Sequence, residues 1–120
     1  MVEYLEDVIA EQIFRYCKYY NIFYLHIPNE AVGVAMSSSF GVKYAGWSNK
    51  LKRVGYVKGA SDYIVINNEK VYFIELKTEE GRQSKEQEEF EERVKKINNA
   101  NVSYHVVRSL DEFKEVLGDV

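Results

Sequence analysis

Three charged residues stand where a buried sheet would not ordinarily hold them. In "VYFIELKTEEGRQSKEQ" (residues 71–87), Glu75 and Lys77 interrupt an apolar run. Strand side chains alternate between faces, so Glu75 and Lys77 share one face and Leu76 takes the other. Burying such charges carries a desolvation cost. Asp62 opens the preceding run "DYIVI", and "NNE" between the two reads as a tight hairpin turn. In an antiparallel hairpin the start of one strand lies beside the end of the next. Asp62 and Glu75 are therefore neighbours if their faces match. Adjacent carboxylates repel, and their joint presence suits a hard divalent cation, which prefers oxygen ligands and retains waters. On the same face, Lys77 could activate such a water or stabilise developing phosphate charge. The plainer alternatives stay open: Asp62 as a strand-start turn residue, and Glu75 with Lys77 as an edge ion pair.

Two more polar side chains fall near apolar stripes. On the first helix, Leu5, Ile9, Ile13, Tyr16 and Tyr20 recur at helical spacing. Glu6 lies inside that stripe, whereas Glu11 lies opposite and Glu3 to the side. Glu6 is thus the acid expected to face the sheet, or else a boundary carboxylate near a helix N-terminus. Gln87 precedes Phe90 on a later helix. It either reaches toward the site or completes the capping box "SKEQ" with Ser84; Glu86 is placed equally near that helix's stripe. His26 sits within a strand, where a partly buried histidine with satisfied hydrogen bonds is the plain reading.

The elements that must position these residues follow from pattern and punctuation. An amphipathic helix is expected from about Glu3 to Tyr20, and a strand at "IFYLHI" (Ile22 to Ile27), closed by Pro28 and Asn29. "SNKLKRVG" reads as a short helix with Ser48 as N-cap and Gly55 beyond its end. Two strands, "DYIVI" and "KVYFIELK", follow. A helix then starts at Ser84, with Phe90, Val94 and Ile97 as its stripe and Glu91–Lys95 and Glu92–Lys96 as i,i+4 pairs. "VSYHVV" is a fourth strand and "SLDEFKEVL" a last helix capped by Ser109. The order αβ(α)ββαβα predicts an α/β domain, residues 1–120, with a mixed four-stranded central sheet flanked by helices.

Composition narrows the class. With 120 residues, 46% of them hydrophobic and 29% charged, the chain suits one modest core. No apolar run approaches the roughly 20 residues that span a bilayer, and "MVEYLEDVIAEQ" does not read as a signal peptide. A single cysteine, Cys17, excludes an internal disulfide and a cysteine-based zinc site. An intracellular setting is expected. The net charge is −3, yet no Asp or Glu occurs from Ala31 to Ser61, which hold Lys43, Lys50, Lys52, Arg53 and Lys58. That +5 segment leaves −8 on the remainder, an asymmetry that can give an acidic protein a local anion-binding surface, or simply a solvated basic loop and helix.

Taken in order, an acid on the first helix (Glu6), "GASD" (Gly59 to Asp62), "ELK" (Glu75 to Lys77) and "GRQSKEQ" (Gly81 to Gln87) resemble the PD-(D/E)XK nuclease superfamily. More narrowly they resemble its virus-type replication-repair nuclease (VRR-NUC) branch. "HIPNE" (His26 to Glu30) and "KLKRVGYVKGASD" look like stand-alone phage-encoded members, and the likeness covers nearly the whole chain. It departs in two places: Ser61 stands where a proline is usual, and Ala10 where a glutamine often follows the first-helix acid. The resemblance implies a restriction-endonuclease-like core and a Mg²⁺- or Mn²⁺-dependent endodeoxyribonuclease. Asp62, Glu75 and the Leu76 backbone carbonyl would hold the metal, and Glu6 would do so directly or through water. Lys77 would position the attacking water and Gln87 would support the site. Lys50, Lys52, Arg53, Lys58, His26 and Asn29 would contact DNA. It further implies a homodimer acting on branched DNA such as four-way (Holliday) junctions in a bacterial or phage-infected cell, without a nucleotide cofactor. A silent DNA-binding or assembly module of the same fold is the alternative, and a small domain whose acidic second helix contacts a basic protein is a third.

Overall fold

The computed structural model describes residues 2–28, 50–51 and 53–118, with side chains from residue 5 onward. Helix α1 spans Val2–Tyr19, followed by strand β1 (Phe23–His26). Residues 50, 51 and 53 are helical. Strands β2 (Tyr63–Asn67) and β3 (Lys70–Leu76), helix α2 (Lys85–Lys96), strand β4 (Val102–Val107) and helix α3 (Leu110–Leu117) complete the order. Ser48 and Asn29 lie outside the described residues, as does Lys52.

The four strands form one mixed sheet in the order β1-β2-β3-β4. β1–β2 and β2–β3 are antiparallel and β3–β4 is parallel. The hairpin turns on two residues, Asn68 and Glu69, both at positive φ (51° and 68°). That is the I′ conformation, whose twist matches the flanking strands. A parallel partner cannot be reached by a hairpin, so the chain crosses through α2 before entering β4.

Alternation divides the sheet cleanly. One face supplies Tyr63, Val65, Tyr72, Ile74, Leu76 and Val107 to a core closed by Ile13 and Cys17 of α1 and Phe113 of α3. The other face carries Phe73 and Tyr104, whose rings lie 5.6 and 6.0 Å from that of Phe90 on α2. The described part of this face has no helix over β1 and the outer half of β2, where Phe23, Leu25 and Ile66 are exposed.

Two expected stripes shift. Leu5 and Tyr20 are exposed, whereas Ile9, Ile13 and Tyr16 of the expected stripe meet the core, and the stripe widens to take in a row through Ala10, Ile13 and Cys17. Glu6 is on that same row, at spacings of four, three and four residues. The cause is Cys17, which burial treats as a small hydrophobe and which pattern reading passed over. Burial also pushes its thiol up to about 11. On α2, Val94 is buried but Ile97 is exposed, because the helix ends there and the chain leaves through Asn98 at positive φ. The Glu91–Lys95 pair forms at 2.8 Å. β1 is shorter than expected: Ile22 belongs to the α1 exit, where its N–H donates to Cys17 O. Asn21 sits there at φ 56°, a helix-terminating conformation.

Gly55 closes the short helical turn as its position suggested. Its φ is 110°, and the Tyr56 N–H reaches back to Leu51 O at 2.8 Å.

Candidate active site

The β2–β3 register pairs Tyr63 with Ile74, so one step further places Asp62 opposite Glu75. Opposed residues share a face. Asp62 is held from two sides. Its side chain Oδ2 accepts the Leu76 N–H at 2.9 Å. Its carbonyl accepts the Ile27 N–H at 2.7 Å, and His26 Nδ1 lies 3.1 Å from the same oxygen. The bond seen at Leu76 is thus through its amide, while the Leu76 side chain sits in the core.

Glu75 is 1% exposed. Its Oε2 accepts the Gln87 side-chain N–H at 3.0 Å, whereas its Oε1 is buried without a well-formed hydrogen bond. Burial raises the Glu75 pKa far above the carboxylate range, and the Asp62 carboxyl beside it adds to the rise as a hydrogen-bonding and like-charged neighbour. Lys77 partly offsets this, and Glu6 contributes a further small rise. A buried acid set against a second carboxyl in this way is a cost that a purely structural role leaves unexplained.

Gln87 satisfies both readings of its position. Its Oε1 accepts the Ser84 N–H at 2.8 Å, its own N–H donates to Ser84 Oγ at 3.2 Å, and its side-chain amide donates to Glu75. The capping box therefore fixes the side chain that orients Glu75.

An open cleft of about 210 Å³ gathers these groups; it is lined by Glu6, Asp62, Glu75, Lys77 and Gln87, joined by Tyr56, Lys58, Gly59, Ala60, Ser84 and Glu86. Among the described residues, Lys58 is the one expected DNA-contact residue on its wall. His26 touches the Asp62 peptide but does not line the cleft, and it is exposed rather than half-buried in its strand. Lys50 and Arg53 are exposed and lie off the cleft wall.

Several contributors were not legible beforehand. Gly59 has φ 85°, and a Cβ there would fall 2.4 Å from the backbone carbon of Glu86. Only glycine lets this turn press onto the first turn of α2. Ser61 is fully buried and donates through Oγ to Tyr63 O at 3.1 Å. Arg108 Nη1 donates to the carbonyls of Thr78 (2.6 Å), Gly81 (2.7 Å) and Glu79 (3.3 Å). It ties down the loop between Lys77 and α2. An arginine after an apolar strand carries no sequence signal for such a role.

Among the described residues, no group of three or more Asp, Glu, His or Cys side chains is gathered closely enough to hold a metal. The pair Asp62–Glu75 remains, with Glu6 on the same wall. Mg²⁺ is commonly held by one or two carboxylates, with waters and substrate phosphates completing its shell. The Asp62–Glu75 pair, the first half-buried and the second buried, therefore fits a hard divalent ion. Comparison with protein-family models, curated proteins and solved structures finds no match to this chain. No helix among the described residues is long and apolar enough to cross a membrane.

Proposed function

We propose that this protein is a divalent-metal-dependent endonuclease that hydrolyses DNA phosphodiester bonds, with a PD-(D/E)XK core of the VRR-NUC type. The observation that carries the reading is the Asp62–Glu75 pair. A carboxyl that is 1% exposed faces a second carboxylate, beside a lysine and in an open cleft. Groups so arranged are costly to the fold alone and useful to a cation.

Asp62 and Glu75 would hold Mg²⁺ or Mn²⁺, with Glu6 reaching it directly or through a water. When bound, the ion would polarise a phosphoryl oxygen and lower the pKa of a water. The chain's own part is orientation. The Leu76 amide and the capped Gln87 aim the two carboxylates. Lys77, from the same face, would hold the attacking water or the reacting phosphate. Lys58 would receive a neighbouring phosphate, and Lys50, Lys52 and Arg53 would add contacts that position DNA without reading sequence. The homodimer and the preference for branched DNA rest on the resemblance, since two sites related by a two-fold axis match two strands of a junction.

One observation favours the silent DNA-binding module: the described acids form a pair rather than a closed ligand set. The deciding experiment incubates the protein with labelled single-stranded, duplex, flap and four-way-junction DNA in Mg²⁺, Mn²⁺ or EDTA. Metal-dependent cleavage supports the nuclease. Salt-sensitive binding without cleavage supports the module, and neither activity removes both.

A further inference from the structure

Glu86 is a fourth carboxylate on the cleft wall, and nothing in the proposed chemistry uses it. Its Oε1 lies 3.6 Å from Lys58 Nζ. Pairs between such exposed side chains are ordinarily loose and worth little. This one is brought together by backbone. The adjacent Gly59 is pressed against the Glu86 main chain with no room for a Cβ, so the Lys58 and Glu86 stems leave adjoining points. Lys58 also lowers the Glu86 pKa, after a hydrogen bond from Glu86's own backbone, so Glu86 is an anion at neutral pH.

We infer that Glu86 is a built-in competitor for Lys58: its carboxylate occupies the cation that an incoming phosphate would use, and so sets how tightly the cleft takes DNA. The inference rests on the nuclease reading only in naming DNA as the polyanion. A phosphate entering beside Asp62 and Glu75 must either displace Glu86 from Lys58 or bind without that contact. Sequences that merely meet the cleft pay this exchange, whereas a substrate held elsewhere along its backbone can offset it. Glu86 is therefore a specificity-determining residue that suppresses weak, indiscriminate binding.

The competition predicts a dependence that plain repulsion does not. If Glu86 only repelled phosphate, its neutralisation would tighten binding equally with or without Lys58. If it competes for Lys58, the gain requires Lys58.

The test measures binding of a labelled duplex in Ca²⁺ across a salt series for the wild type, Glu86→Gln, Lys58→Ala and the double variant. Glu86→Gln is expected to tighten binding by about three- to fivefold. It should steepen the log–log salt slope by about 0.9, one phosphate contact. In the Lys58→Ala background the same change should give less than about a twofold gain and no change in slope. Equal gains in both backgrounds, or no gain in either while the wild type binds DNA, would overturn the competition and leave the nuclease reading standing. If no form binds DNA even at low salt, the nuclease reading fails and this inference falls with it.

Discussion

Replacing Glu75 by Gln should remove a pH dependence from the stability of the metal-free protein. In the folded protein the Glu75 pKa stands well above its ordinary value of 4.5, chiefly because of burial and then because of Asp62. Between those two values the folded state keeps a proton that the unfolded chain has released. Stability therefore falls as pH rises through that window, and the contribution is complete only below the unfolded value. Inside the window the loss is at most about 1.4 kcal/mol per pH unit for one proton. For a chain of this size 1 kcal/mol moves Tm by roughly 3–6 °C. Thermal melts in EDTA at steps from about pH 5 to pH 8 should thus show the wild type losing several degrees per unit relative to the variant. Glutamine has nearly the same shape, accepts from Gln87 and does not titrate, so the two proteins should be closest at acid pH. The variant should be the more stable at pH 8. Saturating Mg²⁺ should raise the wild-type Tm most at pH 8, where less proton must be displaced, and leave the variant unmoved. Parallel melting curves with pH would refute the burial argument.

The remaining expectations concern the neighbours. Glu6→Gln should reduce cleavage by about 10–100-fold while Glu11→Gln leaves it unchanged, because Glu6 lies on the cleft wall and Glu11 is exposed beside Arg15; the reverse ranking in a rate assay would show that the α1 phase is misassigned. Arg108→Ala should cost roughly 2–3 kcal/mol in denaturant melts and expose the 78–81 loop to proteases, since its guanidinium holds three carbonyls there; unchanged stability and nicking would contradict that clamp. Replacing Lys50, Lys52 and Arg53 with Ala should weaken DNA binding and flatten its salt slope by about 0.9 per lost contact. Lys77→Ala should keep binding and lose roughly 10²-fold or more in single-turnover rate; lost binding with normal cleavage at saturating protein would make Lys77 a DNA-contact residue.

Much of the architecture could be read from the chain because local signals agreed. The alternation of "YFIEL" placed Leu76 in the core and Glu75 on the opposite face, and Asn-Glu at the turn kept the hairpin register that sets Asp62 against Glu75. Ser84 and Ser109 capped the helices expected of them. The errors arose where periodicity meets an end or a small residue. Leu5, Tyr20 and Ile97 fit a helical period, yet they lie at helix ends, where little packs over them. Cys17 was passed over as a core residue, and correcting the stripe moves its centre closer to Glu6. Gly59 and Arg108 act through contacts with residues 27 and about 30 positions away. No window of sequence shows such contacts, because they depend on how the crossover helix lands on the sheet. Glu86 was legible only as an equal of Gln87 beside the same stripe, and the structure places both on the cleft.

The central claim is that Asp62 and Glu75 together form a metal-dependent hydrolytic site. It is tested most directly by single-turnover cleavage of a labelled four-way junction and a matched duplex, comparing the wild type with Asp62→Asn in Mg²⁺ and in EDTA. Asp62→Asn keeps an oxygen to accept the Leu76 amide and removes the charge, so it should remain folded with an unchanged circular dichroism spectrum. The wild type should give Mg²⁺-dependent product and none in EDTA, and Asp62→Asn should give none above background. Equal cleavage by a folded Asp62→Asn, or cleavage by the wild type that survives EDTA, would contradict it.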